Sequence, residues 1–187
     1  MNARGTAERT WRRRSLWLLP VVLVLSLAWR NAENVPQWLD NRELRARDVP
    51  VQAQGALGGA QWKLLEFGII DAPARRGWLP GSRASYAAFE VQVQADDLPR
   101  RWQACRIALH DARGRVWRPA TEPVLRMAPH MARGCLAAAH RGAPPGSKLT
   151  IMEVFMLPPD VARPLTLSVS VASERPAYLR FAVPAAD

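Results

Sequence analysis

Few of the residues that usually carry chemistry are present. The 187 residues include two cysteines and three histidines, His110, His130 and His140. Cys105 and Cys135 lie too far apart for a C-x-x-C redox pair. No H-E-x-x-H, G-x-S-x-G or P-loop pattern occurs, so the common zinc-protease, serine-hydrolase and nucleotide signatures are missing. A serine nucleophile needs a base and an orienting group in reach, and no such set stands out. Glu90, Asp96, Asp97 and Asp111 are carboxylates that strand ends could bring together, although acidic residues on solvated edges are common. The expectation is a protein without catalytic residues, cofactor or bound metal.

Acidic charge is also scarce. Sixteen Asp and Glu face 26 Lys and Arg, a formal net charge of +10. Half of that excess sits in residues 1–30, which hold six arginines and one glutamate. The remaining basic residues are dispersed, with no run longer than two. Nucleic-acid binding normally needs a clustered basic face or a recognisable module, so a nucleic-acid partner is not expected. A mildly cationic surface suits anionic headgroups or envelope polymers. Arginine outnumbers lysine 24 to 2, which points to GC-rich coding.

Long apolar runs are missing with one exception. Arg12, Arg13 and Arg14 precede an uncharged stretch, Ser15 to Trp29, that Arg30 closes. A basic head followed by an apolar run marks an export signal or a membrane anchor. Five arginines in residues 1–14 put the N-terminus in the cytoplasm by the positive-inside rule. As a helix the 15-residue run covers roughly 22 Å, against a hydrocarbon core of about 30 Å. Arg14 and Arg30 can snorkel to opposite interfaces, and Trp17 and Trp29 suit the headgroup level. Ser26-Leu27-Ala28 offers a small-x-small cleavage site, so cleavage is the other reading. The expected organisation is a cytoplasmic tail (1–14), a transmembrane signal anchor (15–30), a spacer (31–59) and an extracytoplasmic domain (60–187) in the inner membrane. Membrane lipid is then one partner, and an envelope protein of unknown identity another.

An even cysteine pair in an oxidising compartment reads as a disulfide; two unlinked buried thiols are the other reading. A Cys105–Cys135 bridge closes a loop of 29 intervening residues, worth roughly 3 to 4 kcal/mol in the chain-entropy model.

Within the spacer, residues 37–49 suit a short helix with Glu43 and Arg47 at i,i+4 spacing. From Ala60 the period becomes two. Gln61–Asp71, Ser85–Gln94, Gln103–Asp111, Arg115–Trp117, Leu149–Leu157, Leu165–Val171 and Tyr178–Val183 all read as strands. Ala87, Phe89, Val91 and Val93 share one face, with Ala88, Glu90, Gln92 and Gln94 on the other. Asp111 to Gly114 is a turn. Five prolines and three glycines make residues 119–147 irregular. About seven short strands with no convincing helix between them predict an all-β, two-layer antiparallel sandwich; a β-barrel is the runner-up.

The order Trp102-x-x-Cys105, Asp111-Ala112-Arg113-Gly114-Arg115-Val116-Trp117, Cys135 and Phe155-Met156-Leu157-Pro158 resembles the immunoglobulin-like domains of small uncharacterised bacterial envelope proteins. The resemblance covers roughly residues 60–184. It implies an immunoglobulin-like sandwich without catalytic residues, acting in protein interaction or envelope structure. The short spacing between the cysteines departs from antibody-type domains. It puts the bridge between a strand and the 119–147 segment.

Two ligand-binding alternatives remain. Met127, His130 and Met131, near Cys135 and His140, offer thioether and imidazole groups of the kind that suit Cu(I). Trp78, in Arg75-Arg76-Gly77-Trp78-Leu79-Pro80-Gly81, could present a ring to a glycan. The bland readings are a flexible apolar filler for the methionines and core or edge packing for Trp62, Trp78, Trp102 and Trp117.

Overall fold

A computed structural model describes residues 3–31, 42–71, 81–121, 128 and 130–184. The chain divides into two compact units, residues 1–41 and 42–187.

In the first unit, α1 (Ala3–Asn31) is a single helix with Pro20 inside it. Its apolar residues are exposed on all sides, from Leu16 at 73 % to Trp29 at 86 %. Among the described residues no helix is long and apolar enough to cross a membrane. The expected transmembrane helix is therefore not established. The physical reason is the one its length foretells: arginines close the uncharged run after 15 residues.

The second unit is a sandwich of two five-stranded sheets. Its strands are β1 (Arg45–Val49), β2 (Gln54–Leu57), β3 (Ala60–Asp71), β4 (Arg83–Val93), β5 (Arg106–His110), β6 (Val116–Trp117), β7 (Met131–Ala132), β8 (Lys148–Leu157), β9 (Thr166–Ser170) and β10 (Ala177–Ala182). One sheet runs β1-β10-β9-β5-β6 and the other β2-β3-β4-β8-β7. Two short helices, α2 (Leu98–Arg101) and α3 (Cys135–Ala139), lie in the connections.

The seven expected strands correspond to β3, β4, β5, β6, β8, β9 and β10. On β4, Ala87, Phe89, Val91 and Val93 are buried and Gln92 is exposed as the alternation predicts, whereas Ala88, expected on the outer face, is buried as well.

Three corrections follow from β1, β2 and β7. First, the sandwich starts well before residue 60, because the spacer contributes β1 and β2. Second, Arg45–Val49 is a strand, not part of a helix; residues 37–41 lie outside the described residues. Its charged side chains suit a sheet edge, where Asp48 pairs with Arg180 on β10. Third, the sheets are not wholly antiparallel: β1 runs parallel to β10, and β7 parallel to β8. Parallel neighbours need a long crossover. The whole domain separates β1 from β10, and residues 133–147, with α3, separate β7 from β8.

The core is organised around two tryptophans. Trp62 on β3 and Trp102 after α2 are fully buried, with ring centroids 4.9 Å apart. A buried indole N–H needs an acceptor. The β2–β3 turn supplies both: Trp62 donates to Leu57 O at 3.1 Å and Trp102 to Gly58 O at 2.9 Å. Gly58 and Gly59 have φ of +60° and +73°, the left-handed pair of a two-residue hairpin turn. A Cβ on Gly58 would stand 3.0 Å from the Trp102 ring, so glycine also permits the close approach. Phe89 meets Trp62 edge-on, and Phe181 from the opposite sheet meets Phe89 at 5.5 Å.

Trp102→Phe removes the donor and leaves the Gly58 carbonyl buried. A loss of about 2 to 3 kcal/mol in unfolding free energy is expected by chemical denaturation. A change below about 0.5 kcal/mol would remove the turn from its role in the core.

Candidate functional site

The structure joins Cys105 to Cys135, and the two Cα atoms are 6.2 Å apart. Cys105 stands at the entry to β5, where its N–H donates to Trp102 O at 3.0 Å. The preceding Ala104 has φ +48°, and its carbonyl accepts from Arg175 Nη2 at 2.7 Å. Cys135 opens α3 and is 3 % exposed. The bridge therefore ties a strand of one sheet to the 119–147 segment, as the short spacing implies.

Beside the bridge lies a feature that the sequence reading missed. On β8 the inward row is Ile151, Glu153, Phe155 and Leu157, all buried. Glu153 is 7 % exposed, a carboxyl group on the core face of a sandwich strand. Burial pushes its pKa up to about 7, against the opposing charge of Arg133 and a hydrogen bond from the Gly134 N–H. Gly134 precedes Cys135, has φ +77° and allows close approach: a Cβ there would lie 3.5 Å from Glu153 Oε1. The signal was present in Leu149–Leu157, where an acidic residue interrupts the apolar parity.

Glu153 and both half-cystines line one cleft of about 330 Å³. Ile107 and Ala108 of β5, Val116 of β6 and Leu136 of α3 give it an apolar wall. Arg106, Arg118 and Glu43 supply charge. Glu43 is committed to Ser170 Oγ. A second cleft of similar size, between Phe67 and Ile69 of β3 and Leu165 and Val183 near β9 and β10, is mainly apolar, with Arg163 in its lining.

The other candidate residues are dispersed. Glu90 pairs with Lys148 and Asp97 with Arg101. Asp111 organises the β5–β6 turn, accepting from the Arg113 and Arg115 N–H groups and from Arg115 Nε, each at 2.9 Å. Burial raises its pKa, but these bonds outweigh that and hold it below the ordinary carboxylate range. His110 bonds to Ser168 Oγ at 2.7 Å, and burial lowers its pKa. Among the described residues no group of three His, Cys, Asp or Glu is placed to hold a metal.

Met127 and Trp78 lie outside the described residues. His130 is exposed and Met131 half-buried in β7, with both backbone carbonyls bound by Arg141. Cys135 is oxidised and is lost to any Cu(I) set. Trp62 and Trp102 are core residues, and Trp117 lies under the Arg115 guanidinium, 5.3 Å from its centroid.

Glu153 gives a pH prediction. Its folded pKa lies above the unfolded value, so the folded state holds a proton that the unfolded state releases. The contribution is complete below the unfolded pKa and is lost as pH rises towards 7. The loss amounts to about 3 kcal/mol between pH about 4.5 and about 7. Asp111 acts with the opposite sign and at lower pH, where protonation removes its bonds. Urea unfolding of the wild type across this range is expected to show the slope, and Glu153→Gln to flatten it. Equal slopes would mean that the carboxyl is solvated.

No protein-family model matches the chain, and no curated protein does. Two solved structures are similar in fold. One is an uncharacterised β-sandwich protein from Clostridium difficile 630, with 9 % identity and a TM-score of 0.44, covering 76 % of this chain and 99 % of that one. The other is MPT63, a secreted protein from Mycobacterium tuberculosis, with 15 % identity and a TM-score of 0.42, covering 72 % of this chain and 96 % of that one.

Proposed function

We propose that this chain is a bacterial envelope protein whose α1 segment holds it at the cytoplasmic membrane, N-terminus inside, with an immunoglobulin-like sandwich on the extracytoplasmic side. The sandwich acts without catalysis, as an interaction or structural module. The single observation that carries the membrane reading is the apolar surface of α1. Leu16 to Trp29 stay exposed behind an arginine-rich head, a surface that water disfavours and lipid accepts. A run this short is accommodated by snorkelling arginines and local thinning of the bilayer.

Two further features support the non-enzymatic reading. Five of the described carboxylates are bound within the fold: Asp48 to Arg180, Asp97 to Arg101, Asp111 to Arg115, Glu66 to Tyr86, and Glu174 to Arg47 and the Gly58 N–H. The strand edges β1, β2, β6 and β7 terminate the two sheets and offer backbone groups to a partner.

Alkaline carbonate extraction of membranes followed by N-terminal sequencing tests the attachment. The full-length chain is expected in the membrane pellet with residues 1–30 retained. A soluble mature chain beginning at Trp29 would replace the anchor with a cleaved export signal.

A further inference from the structure

The Cys105–Cys135 bridge is reachable from solvent. Cys105 is partly exposed, and both half-cystines form the wall of the 330 Å³ cleft. Glu153 lines the same cleft, on an inward row whose neighbours Ile151 and Phe155 are fully buried and apolar. An apolar side chain at that position would pack without the cost of desolvating a carboxyl group. Glu153 accepts from the Gly134 N–H beside Cys135, a contact that an uncharged amide oxygen would make as well. Opening the bridge creates a thiolate on the buried Cys135 side, where an unneutralised charge is costly.

We propose that Cys105–Cys135 is a thiol–disulfide exchange site, opened through this cleft by an external dithiol, with Glu153 as the proton donor to the departing Cys135 sulfur. One thiolate of the dithiol attacks Cys105 Sγ. The Sγ–Sγ bond breaks, and its electron pair leaves on Cys135 Sγ. Glu153 transfers its proton to that sulfur and becomes a carboxylate. The second thiol of the reductant, ionised to solvent, then attacks the mixed disulfide. It leaves as a cyclic disulfide and frees Cys105 as a thiolate, which water protonates. Two electrons pass from the dithiol to the protein bridge.

The charges around the cleft fit this direction of approach. Arg106 on β5 and Arg118 beyond β6 line it and attract an anionic thiolate. Glu43 faces the same space but is bonded to Ser170. Arg133 and the Gly134 N–H stabilise the carboxylate that proton transfer leaves behind. The acid is protonated below about pH 7, where a donor is needed. The inference goes beyond the interaction role proposed above and does not depend on where the domain resides.

The test is reduction of the full-length chain in detergent by dithiothreitol, with acid quenching, alkylation and mass analysis. Tryptophan fluorescence reports the fold throughout. The bridge is expected to open while the fluorescence stays native. Per unit of dithiothreitol thiolate, the wild-type rate is expected to fall above pH about 7 as Glu153 ionises. Glu153→Gln is expected to be slower by at least about tenfold at pH 6, with the two rates converging by about pH 9. A purely structural Glu153 would change the rate equally at every pH, which overturns the proposal. So would a wild-type bridge that opens only on unfolding. Leu136→Trp, at an exposed position, narrows the cleft and keeps Glu153. It is expected to slow reduction severalfold, and an unchanged rate would overturn access through the cleft.

Discussion

The domain depends on the indole N–H of Trp102 finding the carbonyl of Gly58. Trp102 lies between the two sheets in the chain, after β4 of one and before β5 of the other. Its partner is the turn that joins β2 to β3. That bond ties the connection between β4 and β5 to the turn. The neighbouring Glu174 carboxylate accepts from the Gly58 N–H at 2.6 Å and ion-pairs with Arg47, bringing the β1 and β9–β10 regions to the same turn. A buried polar contact of this kind adds little net energy, but its loss strands a carbonyl in the core. The core aromatic cluster, Trp62, Trp102, Phe89 and Phe181, then closes the sandwich around it.

Much of this was readable from alternation alone. Strand β4 has an apolar face and a polar face, and β9 and β10 carry the same period. These are strands whose inner face fills the core, so burial wrote the pattern into the chain. The elements without this pattern obey other rules. β1 is charged because it is an edge strand, and its stability comes from pairing with β10 and from Asp48–Arg180. β2 contains a glycine, where a Cβ would meet Val49 and Leu179 at about 2.8 to 3.0 Å. β7 is two residues long and has no period at all. Pairing between the first and last strands is a property of the whole topology and leaves no local trace.

The disulfide corner shows the same division. Cysteine number and compartment suggested the bridge, and the short spacing placed it against the 119–147 segment. Glu153 was legible as one acid on an apolar parity, but its meaning required knowing that α3 and Gly134 sit above it. The Asp111 turn was visible as Asp-Ala-Arg-Gly; the Arg115 contacts that hold its carboxylate ionised were not. Glu90, Asp97 and Asp111, which could have met at strand ends, are instead divided among separate lysine and arginine partners.

We propose that residues 1–30 carry this domain to an oxidising compartment where Cys105 and Cys135 join. Acid-quenched thiol labelling in cells tests it most directly, comparing the full chain with one lacking residues 1–30. The full chain is predicted to take up label at both cysteines only after reduction, and the truncated chain to take it up without reductant. Free thiols in both chains, or blocked thiols in both, would mean that residues 1–30 do not decide the redox state of the bridge.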